Sequence, residues 1–170
     1  SMAGLDIPMS GTKIIKEGLD AGIMEADEDN LTIYTQMFLL ASEYEAALEP
    51  ALAVADFDES GDGWDNVGYI HYVTRNYEDA VEAFQNALDK GDLSDRGDTL
   101  LFLARSKIEL EDFEGALEAA TEAADFGDRE ENTAAVNYIT FINSTQSRFN
   151  IIAERKAIAI DFYQPYPSLQ

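Results

Sequence analysis

Residues 63–88 read GWDNVGYIHYVTRNYEDAVEAFQNAL, and the order of large and small apolar residues in this stretch decides the fold. Trp64, Val67 and Gly68 come first, followed by Tyr77, Ala80, Phe84 and Ala87. Thirty-six residues later the order returns as Leu100, Leu103 and Ala104, then Phe113, Ala116, Ala120 and Ala123. Thirty-three residues earlier it is present as Leu31, Tyr34 and Thr35, then Tyr44, Ala47 and Ala51. Self-similarity at such a period marks an array of stacked helical units.

Each unit predicts a pair of antiparallel helices. The small residues Gly68, Ala80, Ala104 and Ala116 let neighbouring helices approach, and Trp64, Tyr77, Phe84 and Phe113 fill the gaps between them. One pair cannot bury its apolar face alone, so the pairs must stack into a solenoid. Short turns are expected inside the pairs at Ser42-Glu43, Arg75-Asn76 and Glu111-Asp112. Longer loops rich in Gly and Asp fall between pairs, at residues 56–63, 91–98 and 126–128. The fold class is all-α.

The ends complete the organisation. Residues 6–19, DIPMSGTKIIKEGL, read as the second helix of a pair with Pro8 near its first turn. No first helix precedes it, as expected of a piece cut from a longer solenoid. Residues 130–160 read as one long helix or two in sequence, with Ala134, Tyr138, Ile142, Phe149, Ile152 and Lys156 on one stripe, as a terminal cap requires. The closing FYQPYPSLQ cannot stay helical through Pro165 and Pro167 and reads as an aromatic tail, folded back on the cap or free. The expected divisions are a solenoid over 4–127, a cap over 128–160 and a tail over 161–170.

Composition narrows the partners. The 170 residues hold 34 Asp and Glu against 11 Lys and Arg, a formal charge of −23. With 46% hydrophobic and 11% aromatic residues the chain can build a core, so its acidity does not mean disorder. Nucleic acid and anionic membrane surfaces are poor partners for such a charge. Between Lys16 and Arg75 there is no basic residue at all, which favours a partner carrying basic segments. The absence of cysteine removes disulfides, thiolate metal sites and cysteine nucleophiles. No apolar run approaches the roughly 20 residues that span a bilayer. Ser1-Met2-Ala3 does not begin a secretory signal, and a fragment would lack its native one.

Candidate chemistry is sparse. In DFDESGDG, Asp56, Asp58, Ser60 and Asp62 match the first half of an EF-hand calcium loop, but its twelfth position is Val67 where a bidentate Glu is needed, and Trp64 takes a ligand position. A polar loop between repeats is the better reading, with a weak cation site as the alternative. Arg96-Gly97-Asp98 spells an adhesion tripeptide, yet at a helix start Asp98 reads as an N-cap or first-turn acid. His71 is the sole histidine, with no residues to form a triad or zinc site around it, and reads as inter-repeat packing. No glycine-rich phosphate cradle is present, so neither cofactor nor catalysis is expected.

The remaining functional surface is the inner face of the solenoid, lined by alternate turns of each pair's first helix. Repeat alignment places there Asp29, Thr32, Gln36 and Leu39, then Asp62, Asp65, Tyr69 and Tyr72, then Asp98, Leu101, Arg105 and Ile108. Tyr69 and Tyr72 are the expected anchors for an extended peptide, unless they pack against the neighbouring pair.

The pattern resembles the tetratricopeptide repeat (TPR). More narrowly, Glu28-Asp29-Asn30-Leu31, SEYEAALEPALAVAD at 42–56, DESGDG at 58–63, the long run from Asn86 to Asp128 and NTAAVNYITFI at 132–142 resemble the C-terminal half of periplasmic TPR proteins encoded beside TonB-type energy-transduction systems. The likeness spans about residues 4–145 and departs in the extreme acidity and the aromatic tail. It implies a right-handed superhelix, a non-catalytic scaffold binding a partner protein or extended peptide in its groove, a periplasmic location and a TonB-linked setting. Chaperone-binding TPR domains grip a C-terminal carboxylate with Lys and Asn; this chain has Thr32, Asp65 and Leu101 in one row and Gln36, Tyr69 and Arg105 in the other, so that clamp is absent. The alternative role is a homo-oligomerising module driven by the tail and the acidic faces.

Overall fold

The computed structural model describes residues 27–126 and 129–163, together with residues 11, 13, 14, 16–18, 21 and 22. Among the described residues from 27 onward, seven helices follow one another: α1 (Glu28–Leu40), α2 (Tyr44–Phe57), α3 (Asp62–Val73), α4 (Tyr77–Lys90), α5 (Arg96–Glu109), α6 (Phe113–Phe126) and α7 (Arg129–Tyr163). There is no strand among the described residues. Residues 11, 13, 14 and 16–18 are helical; the rest of the helix expected over 6–19 lies outside the described residues, as do 164–170 of the tail.

The three expected turns close the pairs α1/α2, α3/α4 and α5/α6 by one mechanism. Ser42, Arg75 and Glu111 are left-handed, with φ of 59°, 65° and 61°. Each N–H reaches back three residues, to Leu39, Tyr72 and Ile108. The next N–H reaches back five, Glu43 to Phe38, Asn76 to His71 and Asp112 to Lys107, each at 2.9 Å. This double bond pattern is the Schellman motif, which satisfies the last carbonyls of a helix and reverses the chain. At the starts, Asp27 caps α1 by accepting from the Asn30 N–H, and Asp95 caps α5 by accepting from the Asp98 N–H. Asp98, expected as either cap or first-turn acid, therefore takes the second role.

The repeated small residues meet where the pattern places them. Phe84 is fully buried among Ala80, Leu103, Ala104, Ala116, Ala119, Ala120 and Ile142. Gly68 faces it so closely that a Cβ there would lie 2.6 Å from the Phe84 ring. A second cluster gathers Ala47, Ala51, Ala55, Val67, Ile70 and Ala83. The first helices α3 and α5 touch directly, whereas the second helices α4 and α6 stand apart. A stack whose members converge on one side curves towards that side, so the first helices form its inner face.

The C-terminal end departs from expectation. α7 is one uninterrupted helix of 35 residues, and it continues through Phe162 and Tyr163 into what the sequence predicts as tail. Of its expected apolar stripe, Ile142 is buried, Tyr138 is half-buried and Phe149 rests on Phe113 with ring centroids 5.1 Å apart. Ile152 and Lys156 are exposed because α7 outruns the α6 helix it packs against, and Ala134 is exposed beside the buried Ala135 because it lies off the packed face. The helix caps the stack with its first half and Phe149.

Candidate functional site

The acids at the start of α3 are tied to the next loop and helix. The Ser94 N–H donates to Asp62 Oδ1 at 2.8 Å, and the Ser94 hydroxyl donates to Oδ2. Asp65 Oδ1 accepts from the Thr99 hydroxyl at 2.7 Å. Burial pushes the Asp65 carboxyl up to about 6; the Thr99 hydrogen bond opposes the rise, and Asp98, Asp62 and Asp95 add to it by repulsion. Asp58 behaves oppositely. Burial disfavours its charge, but the Ser60 hydroxyl and N–H, the Gly63 N–H and nearby Lys90 outweigh that, and its carboxyl sits below the ordinary value.

These bonds show what became of the calcium-like loop. Asp58 accepts from Ser60 and Gly63 within the loop, Asp62 turns to Ser94 and Asp56 is exposed. Asp58 and Ser60 pair with each other while Asp56 and Asp62 turn elsewhere, and among the described residues no group of three His, Cys, Asp or Glu side chains could hold a metal ion. The Arg96-Gly97-Asp98 tripeptide is equally committed. Arg96 bonds Glu122 at 2.7 Å and lies over the Phe126 ring, and Gly97 is buried. His71 is mostly buried, as packing requires, with Nδ1 lacking a hydrogen bond and Asp79 3.9 Å away.

Beside the acids runs a ladder of rings across successive helices. Tyr44 meets Tyr69 at 6.3 Å between centroids, Tyr69 meets Phe102 edge-on at 5.5 Å, and Phe102 meets Tyr72 at 5.3 Å. The Arg105 guanidinium lies 4.7 Å from the Phe102 ring centre and 5.7 Å from that of Tyr138 on α7. Such ring and cation contacts contribute about 0.5–1.5 kcal/mol each beyond area burial. Burial, with Tyr44 adjacent, raises the Tyr69 phenol; burial pushes Tyr138 up to about 12, against the pull of Arg105. Both phenols are neutral at physiological pH and present hydroxyl groups on an apolar platform.

The expected groove residues are thus divided. Asp29, Gln36 and Asp98 are exposed, while Asp62, Tyr69, Tyr72 and Arg105 are half-buried, with Tyr69 and Tyr72 both packed on Phe102 of the next pair. Leu101 is a correction: it is 5% exposed and packs with Leu100, Ala123 and Ala135, so it belongs to the core. Asp65 stands in the same alignment row, where adjacent first helices meet, and only the Thr99 bond makes its burial tolerable. Phe102 and Tyr138, missed from the sequence, take the place expected of Leu101; a half-buried aromatic one residue on from an aligned groove position was the available signal. On the opposite side, the second helices leave a cleft of about 540 Å³ lined by residues such as Glu82, Asn86, Asp89, Lys107, Glu118 and Glu122.

Inner-face rings, Schellman reversals and close small-residue contacts define a TPR solenoid, and comparison of the whole fold with solved structures agrees. A crystal structure of MamA superposes with a TM-score of 0.69 at 14% identity, covering 98% of this chain and 94% of that one. A MamA RS-1 double mutant gives 0.69 at 16% identity, over 94% and 88%. YrrB, described as a TPR protein with an unusual peptide-binding site, gives 0.61 at 21% identity, over 82% and 67%. No protein-family model matches the sequence, and no curated protein matches it.

Proposed function

We propose that the chain is a non-catalytic scaffold that holds a basic, extended segment of a partner protein along its inner face. The observation that carries this reading is the ladder Tyr69–Phe102–Tyr72 with Arg105, which spans α3 and α5 beside a row of aspartates. Half-buried rings with polar tips offer contact area at small entropic cost, and the acids attract a cationic chain from a distance. The peptide-binding site described for YrrB supports the mode. By its sequence resemblance, the scaffold works in the periplasm, in a TonB-associated transport system.

Fluorescence anisotropy with labelled extended peptides, Lys/Arg-rich and neutral, tests the groove. The basic peptide should bind, Tyr69→Ala should weaken it roughly tenfold, and added salt should weaken it further. Equal binding of the neutral peptide, indifferent to about 0.5 M salt, refutes the reading. Cross-linking in cells that carry the gene tests the setting: capture of no TonB-system component counts against it.

A further inference from the structure

Helices α1 to α6 have 12 to 14 residues and α7 has 35. Its second half, FNIIAERKAIAIDF at 149–162, repeats the pattern of a pair's second helix. Phe149 stands thirty-six residues after Phe113, as Phe113 stands after Tyr77. Ala159-Ile160-Asp161-Phe162 likewise answers Ala123-Ala124-Asp125-Phe126 and Val54-Ala55-Asp56-Phe57. In the closed pairs a left-handed residue lies two positions before the opening aromatic, and its counterpart here is Ser147.

Residues 143–147, Asn-Ser-Thr-Gln-Ser, have the chemistry of a turn, yet the helix runs through them. Their side chains bond back within the helix: Asn143 to the Ile139 carbonyl, Ser144 and Thr145 to Phe141, and Ser147 to Asn143. Two matching surfaces are left largely exposed as a result. Residues 147–162 are exposed throughout, including Ile152, Ile158 and Ile160. On the first half, Val136 is 50% exposed, although its counterpart Leu100 is 1% exposed in a cluster with Ala123.

We propose that α7 is a fourth helix pair held open, and that a second copy of the chain closes it: each copy lays residues 149–162 along residues 129–146 of the other. The exchange is two-fold symmetric and closed, and each surface already has its complement in the same sequence. Folding back within one chain is impossible while the helix is continuous, because Val136 and Ala159 lie about 35 Å apart along it. Charge permits a second copy at this segment. Two bodies in a chain of −23 repel, whereas residues 149–162 are neutral, Arg155 and Lys156 balancing Glu154 and Asp161, so contact there adds no repulsion. At 100° per residue Ile152 and Ile160, 61% and 56% exposed, fall on the same side of the helix as Ala159, the side that must meet the other copy. This inference is independent of the inner-face reading.

The cysteine-free chain makes the test direct. Val136→Cys and Ala159→Cys, placed on separate copies and mixed under mild oxidation, should give a covalent dimer, and light scattering of the unmodified chain should give twice the chain mass. Ile152→Asp with Ile160→Asp should yield a monomer with the far-UV helix signal of the stack retained. A monomer at tens of micromolar, an internal disulfide in the double-cysteine chain, or a dimer that neither cross-links nor responds to the aspartates overturns the exchange.

Discussion

Replacing Asp65 by Asn should stabilise the protein, and only above a certain pH. In the fold its carboxyl ionises near 6, against the ordinary 3.8. A raised carboxyl pKa means that the folded state binds the proton more tightly than the unfolded one. The stabilising contribution is complete below about pH 4 and is lost as pH rises through about 6. Two units correspond to about 3 kcal/mol, and discounting for partial exposure leaves about 2 kcal/mol. Asn keeps the Oδ1 acceptor for the Thr99 hydroxyl while removing a charge beside Asp62, Asp95 and Asp98. Urea unfolding followed by far-UV circular dichroism at pH 4.0 and 7.5 isolates the effect. Asp65→Asn should gain about 2 kcal/mol at pH 7.5, roughly 5 °C in Tm for a chain of this length, and nearly nothing at pH 4.0. Equal shifts at both pH values would refute the reasoning, since packing rather than ionisation would then be responsible; so would a loss of stability at pH 7.5.

Other perturbations have equally definite outcomes. Gly68→Ala sets a Cβ 2.6 Å from a Phe84 ring that has no room to retreat, and thermal melting should show a loss of about 1–3 kcal/mol. Arg75→Gly relieves a left-handed non-glycine residue at the cost of unfolded-state entropy, for a net gain of about 0.5–1 kcal/mol in chemical denaturation. Arg96→Met removes the Glu122 bond and the charge over Phe126; the loss, about 1 kcal/mol, should shrink in high salt.

The pairs and their reversals were legible because they rest on local chemistry repeated in register. Ser42, Arg75 and Glu111 each turn the chain one residue before the position where the second helix is capped, and the aromatics that follow open the helices as the period requires. Side-chain direction on the inner face was less legible. Alignment puts Leu101 in the row of Thr32 and Asp65, which are half-buried, but Leu101 itself is buried against Leu100, Ala123 and Ala135. The ring surface then falls to Phe102. The sequence leaves one long helix or two open over 130–160, and back-bonds from Ser144 and Thr145 to the Phe141 carbonyl satisfy these side chains without a break. Pro165 and Pro167 set an outer limit for that helix and say nothing of where within 161–164 it ends.

The loops between pairs carry a mechanical consequence. The Gly61 N–H donates to the Gly91 carbonyl at 2.7 Å, and a Cβ on Gly61 would strike the Ala87 carbonyl, so backbone rests on backbone there. Lys90 reaches the Ala55 carbonyl, Ser94 grips Asp62 and Thr99 holds Asp65, all across the same two joints. A superhelix behaves as a spring whose compliance lies wherever its coils are not pinned. Here the middle coils are pinned at the acid-rich edge, so a load applied to the stack cannot splay that edge without breaking polar bonds. Bending must be taken up elsewhere, and the spacing of Asp62 and Asp65 from Ser94 and Thr99 stays fixed while the rest of the stack flexes.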